Sequence, residues 1–265
     1  MAKVFVGVGH GGSDPGAVGY IVEKDANLVM ATACAEMLKA HGVTVKMSRT
    51  RDESESLTGK INECNAFKPD LAIDVHNNAG GGDGWEAIHS INGGTGKTLA
   101  KNIETEIKKI GQNSRGLKTR KNSSGTDYFG FIRSTNCPAV ILEGAFVDNA
   151  TDVKIADTAA EQKEFGKAYA RGILKTLGIS VSEETISTKN ETKTETVKNE
   201  SFKVRVSIHN LNIRKGPGTN YARTGQAEAG VYTIVDVKDG QGSAEGWGKL
   251  KSGAGWIALD YATRL

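Results

Sequence analysis

Lys3-Val-Phe-Val-Gly-Val-Gly-His10-Gly-Gly-Ser-Asp-Pro-Gly-Ala17 is the stretch on which the reading of this chain turns. Val4, Phe5, Val6 and Val8 form an apolar run of strand length, the pattern of a strand covered on both faces. The run leads straight into His10, which is flanked by Gly9, Gly11 and Gly12. Neighbours without side chains let another group approach an imidazole closely. A histidine at the carboxyl end of a buried strand, on a glycine-rich turn, stands where open α/β sheets place their ligands.

Beyond that turn, Leu28, Ala31, Ala35 and Leu38 recur at helical spacing, with Glu23 at the start and His41-Gly42 at the end. Residues 43–47 alternate as a strand, and 54–65 read as a second helix. A third strand, 71–75, runs into His76-Asn-Asn-Ala-Gly-Gly-Gly, and 85–91 make a fourth. A helix over 97–110 carries Leu99, Ile103, Ile107 and Ile110 on one face. Residues 111–130 are polar and glycine-rich and read as a long loop over a site. Strand 138–142 delivers Glu143, and a helix over 161–177 closes the domain. This alternation implies an α/β domain over residues 1–179, with a mixed, mostly parallel sheet flanked by helices.

Residues 180–201 are Ser, Thr, Glu, Lys and Asn with hardly an apolar side chain, the composition of a flexible linker. From 202 to 265 the period changes to short strands between glycine-rich turns, which implies a small all-β barrel domain.

The composition narrows the function. The chain has 265 residues, 38% of them apolar and 25% charged, which suits two soluble globular domains. No run approaches the ~18 apolar residues of a membrane span, so stable membrane insertion is not expected. The net charge is +3, and residues 202–265 hold nine basic against five acidic side chains. That suits an anionic surface but is too weak a field for a nucleic-acid partner. Cys34, Cys64 and Cys137 are odd in number and widely spaced. They suggest neither a disulfide framework nor a thiolate zinc knuckle, and read as small buried hydrophobes.

Three strand ends therefore present His10, His76 and Glu143, and the first helix opens with Glu23. Two imidazoles and one carboxylate are the ligand set of a catalytic zinc with an open fourth position. Zinc in such a site acidifies water to a pKa of about 7 and polarises a carbonyl. A separate carboxylate must then take the water's proton and return it to the leaving amine, and Glu143 is placed for this. His41, after a helix, His89, mid-strand, and His209 read as ordinary structural histidines.

At these residues the chain resembles the zinc-dependent N-acetylmuramoyl-L-alanine amidases, the peptidoglycan amidases called amidase type 3. The likeness covers about residues 3–178. It rests on His10 to Ala17, on Glu23 with Asn27-Leu28, and on Ser48-Arg49 with Asp52. It also rests on Asp74-Val-His76-Asn-Asn78-Ala79 and on Pro138 to Asn149. The resemblance implies one zinc ion in the catalytic domain held by His10, Glu23 and His76, with Glu143 as the catalytic acid/base and Asn78 orienting substrate. Two positions depart from the family pattern: Asp74 stands where Ser is usual, and Lys60 where Arg is common.

The carboxyl-terminal part resembles a bacterial SH3 domain of the wall-binding kind, through Leu211 to Tyr221, Gly246-Trp247, Gly255-Trp256-Ile and Tyr261. Its tryptophans read equally as core or as ligand contacts.

Two decoys fall away. Gly7 to Gly12 matches a dinucleotide fingerprint, but Pro15-Gly16 stands where its helix should continue. Gly94 to Thr98 resembles the end of a phosphate loop, but Ile91 occupies the position of the motif's first glycine.

The expected activity is cleavage of the amide between the lactyl group of N-acetylmuramic acid and L-alanine of the stem peptide. The expected partner is peptidoglycan of a Gram-positive wall. A zinc carboxypeptidase or other peptidase acting on wall peptides is the alternative chemistry. The opening carries no secretory signal. The expected setting is thus a phage endolysin, made in the host cytoplasm and acting on the wall after release, with a mother-cell sporulation amidase as the alternative.

Overall fold

A computed structural model describes residues 1–181, 201–219, 221–243 and 245–265. Most of the stretch read as a linker, 182–200, lies outside the described residues. The described chain divides into two compact units, one made mostly of residues 1–181 and the other mostly of 201–265.

The first unit is built on a six-stranded sheet in the order β2-β1-β3-β6-β4-β5. These strands are β1 (Lys3–Val8), β2 (Thr44–Met47), β3 (Leu71–Asn78), β4 (Trp85–His89), β5 (Ser114–Lys118) and β6 (Ala139–Phe146). Strands β2, β1, β3 and β6 run parallel, β4 is antiparallel to β6, and β5 is parallel to β4. The sheet is mixed and mostly parallel, as the alternation of elements implies.

Successive side chains on a strand point to opposite faces, and the two faces here are covered differently. Helices α1 (Glu23–Ala40), α3 (Gly94–Lys109) and α5 (Ala159–Thr176) contribute to the larger core. There Met30, Leu38, Leu99, Ile103, Phe165 and Ile173 pack with Val4, Val6, Val8, Ile73, Val75 and Leu142. The other face is covered by α2 (Leu57–Phe67) and the short α4 (Gly130–Ser134). A smaller core of Phe5, Cys64, Ala72, Ile88, Phe131, Ala139 and Ile141 lies beneath them. Helix α2 starts where Ser56 Oγ accepts from the Gly59 amide at 3.0 Å, and ends at Lys68 in the left-handed conformation (φ 54°).

On this second face the strands change character along their length. Phe5 is followed two residues on by Gly7, Ala72 by Asp74 and His76, and Ile141 by Glu143; Ile88 is preceded by Glu86. The apolar floor gives way to polar side chains toward the carboxyl ends of the parallel strands, and the functional residues begin there.

The loop reading of residues 111–130 needs correction, because β5 lies inside that stretch. It is an edge strand, paired only with β4, and its pairing is offset by a shift between Trp85 and Glu86. Ser-Arg-Gly-Leu-Lys has a single large apolar residue and no alternation, so the sequence carries no strand signal. Strands β3 and β6 also run three and four residues past the ends read from the sequence, so His76 and Glu143 lie within strands rather than beyond them. Cys34 and Cys64 are buried as expected, whereas Cys137 is only partly so; all three are free thiols.

The second unit is a seven-stranded antiparallel sheet. Its strands are β7 (Phe202–Val206), β8 (Leu211–Arg214), β9 (Arg223–Ala227), β10 (Gly230–Lys238), β11 (Trp247–Leu250), β12 (Trp256–Ala258) and β13 (Ala262–Arg264), in the order β13-β7-β10-β11-β12-β8-β9. Its core joins Val204, Val206, Leu211, Ile213, Ile234, Leu250 and Ile257. Trp247 and Trp256 are 2% and 7% exposed, which places both in the core of this unit. No helix among the described residues is long and apolar enough to cross a membrane.

Candidate metal centre

The site forms where β1, β3 and β6 end beside the start of α1. His10 follows β1 in the left-handed region (φ 59°), a conformation that costs a residue with a Cβ about 1–2 kcal/mol. Hydrogen bonds hold the chain there. Arg49, almost wholly buried, donates from Nη2 to the carbonyls of Gly9 at 3.0 Å and Lys24 at 2.8 Å. Asp52 accepts from the Gly12 amide at 2.7 Å and from Lys24 Nζ at 2.8 Å. The Arg49…Asp52 segment thus fixes the glycine-rich turn.

Glu23 lies between the two histidines. Its Oε1 is 3.1 Å from His10 Nε2 and 3.1 Å from His76 Nδ1. The same oxygen accepts from the Asn77 amide at 3.2 Å, and Oε2 accepts from the Ala17 amide at 2.8 Å. One ligand atom from each of His10, Glu23 and His76 lies within 4.8 Å of the others. Ligands bound at about 2.0–2.1 Å around a tetrahedral ion stand roughly 3.4 Å from one another, and the two histidine–glutamate separations of 3.1 Å lie close to that spacing. The donor set, two neutral nitrogens and one carboxylate, also suits such an ion.

The remaining ring nitrogens face carboxylates. His10 Nδ1 is 2.8 Å from Asp14 Oδ2, and His76 Nε2 is 3.5 Å from Asp74 Oδ2. Carboxylates so placed orient a ligating imidazole and raise its basicity. Asp74 is itself buried and paired with the buried Lys60 at 2.8 Å, and Lys60 also donates to the Val8 carbonyl at 3.1 Å. The two residues that depart from the family pattern therefore meet each other, so the departure is a paired one.

Electrostatics make this corner a cation trap. Burial works against the charged form of His76, but Asp74, Glu23 and Glu143 outweigh it and lift the ring to about 10. His10 is raised too, chiefly by its contact with Glu23. Burial also opposes the charge on Glu23, but its contacts with both imidazoles hold the carboxyl well below its ordinary value.

Glu143 sits one strand over, in register with His76 across β3 and β6. Burial pushes its carboxyl up to about 7; His76 opposes the rise, and Glu23, Glu86 and Asp74 add to it. A carboxyl near 7 can both accept and return a proton at neutral pH. Asn78 donates from Nδ2 to Glu86 Oε1 at 2.9 Å, and its Oδ1 accepts from the Ala79 amide at 2.9 Å. Sequence reasoning did not single out Asp14, Glu86 or Arg115 for this region. No periodicity marks them, because they are polar residues on a turn and at an irregular sheet edge.

The glycine before His10 is a steric requirement. A Cβ on Gly9 would collide with Cε1 and Nδ1 of the His76 ring. Gly9→Ala is expected to weaken metal binding about 10–100-fold, as disturbing the support of a ligand does, and to cost about 1–3 kcal/mol of stability. Chelator competition and thermal unfolding read the two effects, and unchanged metal affinity in the folded variant would contradict the collision.

Comparison with known proteins agrees with this geometry. Residues 4–175 match the model of the family described as N-acetylmuramoyl-L-alanine amidase. The N-acetylmuramoyl-L-alanine amidase CwlM of Bacillus licheniformis is 34% identical over 185 residues, covering 68% of this chain and 70% of that protein. The endolysin of Bacillus phage SPP1 is 33% identical over 190 residues, covering 68% of each. Among solved structures, Cwp6 from Clostridium difficile is 37% identical with a TM-score of 0.65, covering 66% of this chain and 29% of that one. The match to the family model takes in every strand and helix from which the cluster is built, and by it this chain belongs to the N-acetylmuramoyl-L-alanine amidase family.

Proposed function

We propose that the protein hydrolyses the amide between the lactyl group of N-acetylmuramic acid and L-alanine of the stem peptide, with His10, Glu23 and His76 holding one zinc ion and Glu143 moving the proton. The observation that carries this is the shared approach of the three ligand atoms within 4.8 Å, with Glu143 in register beside His76. A zinc ion bound there supplies a Lewis acid that polarises the scissile carbonyl and acidifies the attacking water.

Glu143 accepts one proton from that water as its oxygen adds to the carbonyl carbon. It then delivers the proton to the alanine nitrogen as the carbon–nitrogen bond breaks, leaving a lactyl carboxylic acid and a free amine, and the acid then passes its own proton to solvent or to the amine. Asp14 and Asp74 keep the two imidazoles in the orientation this requires. Mass spectrometry of digested wall tests the reading. New L-alanine amino termini with free lactyl carboxyl groups are expected, whereas released D-amino acids would assign a wall peptidase instead.

Residues 202–265 we assign to an SH3-like barrel that binds the Gram-positive wall, joined to the catalytic domain of residues 1–179 through the linker at 180–201. Support comes from the seven-stranded antiparallel sheet and the basic excess of this part. Residues 1–179 alone are expected to fold and to cleave soluble muropeptides. Loss of the β domain should raise the wall concentration needed for half-maximal rate several-fold, and more than it lowers turnover on soluble fragments. An inactive, unfolded fragment would overturn the boundary. The setting we favour is a phage endolysin made in the host cytoplasm and acting on the wall after release, in keeping with the phage SPP1 relative.

A further inference from the structure

The row of registered residues that begins at His76 continues past Glu143. Glu143 pairs with Glu86 across β6 and β4, and Glu86 pairs with Gly116 on the edge strand β5. The shift between Trp85 and Glu86 leaves Arg115 outside the regular pairing, beside Glu86. Arg115 Nε donates to Glu86 Oε2 at 3.0 Å, and the guanidinium carbon lies 5.1 Å from the centre of the Phe146 ring. The other Glu86 oxygen is taken by Asn78. Glu86 is thus held by Asn78 on one side and holds Arg115 on the other.

The guanidinium is fixed along one edge and over one face. Its two terminal nitrogens have no hydrogen-bond partner among the described residues, and the side chain is 43% exposed. Four N–H donors in a rigid planar fork, open to solvent and pre-oriented, suit a carboxylate taken in two parallel bonds. Around Glu143 the charges of Glu23, Glu86 and Asp74 are negative and His76 opposes them, while at the other end of the row Arg115 offers an anionic substrate group a partly exposed positive charge.

We propose that Arg115 is a specificity-determining residue that binds a side-chain or α-carboxylate of the stem peptide just beyond the scissile amide, and so selects free-acid over amidated peptides. The inference rests on the amidase reading of the metal centre. Its scale is consistent. Two strand spacings separate β6 from β5, about 10 Å, and an extended peptide covers roughly 3.3–3.6 Å per residue. A scissile amide at Glu143 then places the second or third residue of the leaving peptide within reach of the arginine. Asn78 serves substrate orientation through Glu86, as a positioning residue.

The test uses the full chain with zinc and two synthetic muramoyl peptides that differ only in a carboxylate or a carboxamide at the second peptide residue. The ratio of kcat/KM for acid over amide is expected to fall about 10–100-fold in Arg115→Gln, the loss of one charged hydrogen-bonded pair, with the change mainly in KM. Arg115→Lys should retain part of the ratio, because charge remains while the fork is lost. A ratio within threefold of wild type in both variants, with metal content unchanged, would overturn the role of Arg115 while leaving the amidase reading intact. Wild-type protein that cleaves neither peptide at the lactyl amide would overturn both.

Discussion

Glu143→Gln is expected to lower turnover by about 10²–10⁴-fold while leaving bound zinc unchanged. The substitution keeps the size and much of the polarity of the side chain, but the amide can neither take the water's proton nor deliver one to the departing nitrogen. That loss corresponds to about 3–5 kcal/mol of transition-state stabilisation. Two features make the effect specific to proton transfer. Glu143 is not one of the three clustered ligand residues, so metal content, read by elemental analysis, should stay at one ion per chain. Its carboxyl is also pushed up to about 7 by burial, so a group already poised for exchange at neutral pH is removed. The neutral amide of this variant also avoids burying a charge, a cost that outweighs the attraction of His76 and is increased by Glu23, Glu86 and Asp74, so the variant should be at least as stable as wild type. Single-turnover rates on a soluble muropeptide measure the result, and near wild-type turnover would remove Glu143 from the mechanism.

Much of this centre was legible because its residues interrupt strong patterns. The run from Val4 to Val8 has the length and composition of a strand covered on both faces, and β1 is buried on both; His10 follows it on a turn in which Gly11 and Gly12 take positive φ. Glu23 opens a helix whose apolar stripe is plain, and Leu28, Ala31, Ala35 and Leu38 are all buried. What was hidden is polar structure inside regular elements. Asn77 is fully enclosed within β3, yet its amide donates to Asn27 Oδ1 at 2.8 Å and accepts from the Ala145 amide at 3.0 Å. A satisfied buried amide of this kind looks like loop in the sequence, so β3 reads as stopping short of His76, and β6 reads as ending at Leu142 because Glu143-Gly144 breaks its apolar run. The edge strand β5 was hidden for another reason: it packs little apolar surface, and its existence depends on β4 lying beside it. Arg115 was therefore invisible as a neighbour of the site. The pairing of Lys60 with Asp74 is equally a property of the fold, since nothing in their spacing links a residue of α2 to one of β3.

Removal of metal is expected to abolish hydrolysis, and zinc to restore it, with an affinity that rises with pH. The sign follows from the ring protons. His76 is lifted to about 10 and His10 is raised above its ordinary value, so near pH 7 the metal-free site carries protons that an incoming ion must displace. Glu23 is held well below the ordinary carboxylate range and offers no such competition. Each displaced proton makes the apparent affinity rise about tenfold per pH unit, so between pH 6 and pH 8 binding should strengthen at least ~100-fold. The folded-state stability of the metal-free protein should move the other way. A histidine whose pKa is raised on folding stabilises fully below its unfolded value of about 6.5, and that contribution fades as pH climbs toward 10. Zinc at a hundred times its dissociation constant should then restore about 2.7 kcal/mol, seen as a higher unfolding temperature. Competition with a chromophoric chelator across that pH range, beside calorimetry with and without zinc, measures both slopes. Binding that is indifferent to pH, or hydrolysis that survives full chelation, would separate His10, Glu23 and His76 from any metal role and leave Glu143 with no polarised carbonyl on which to act.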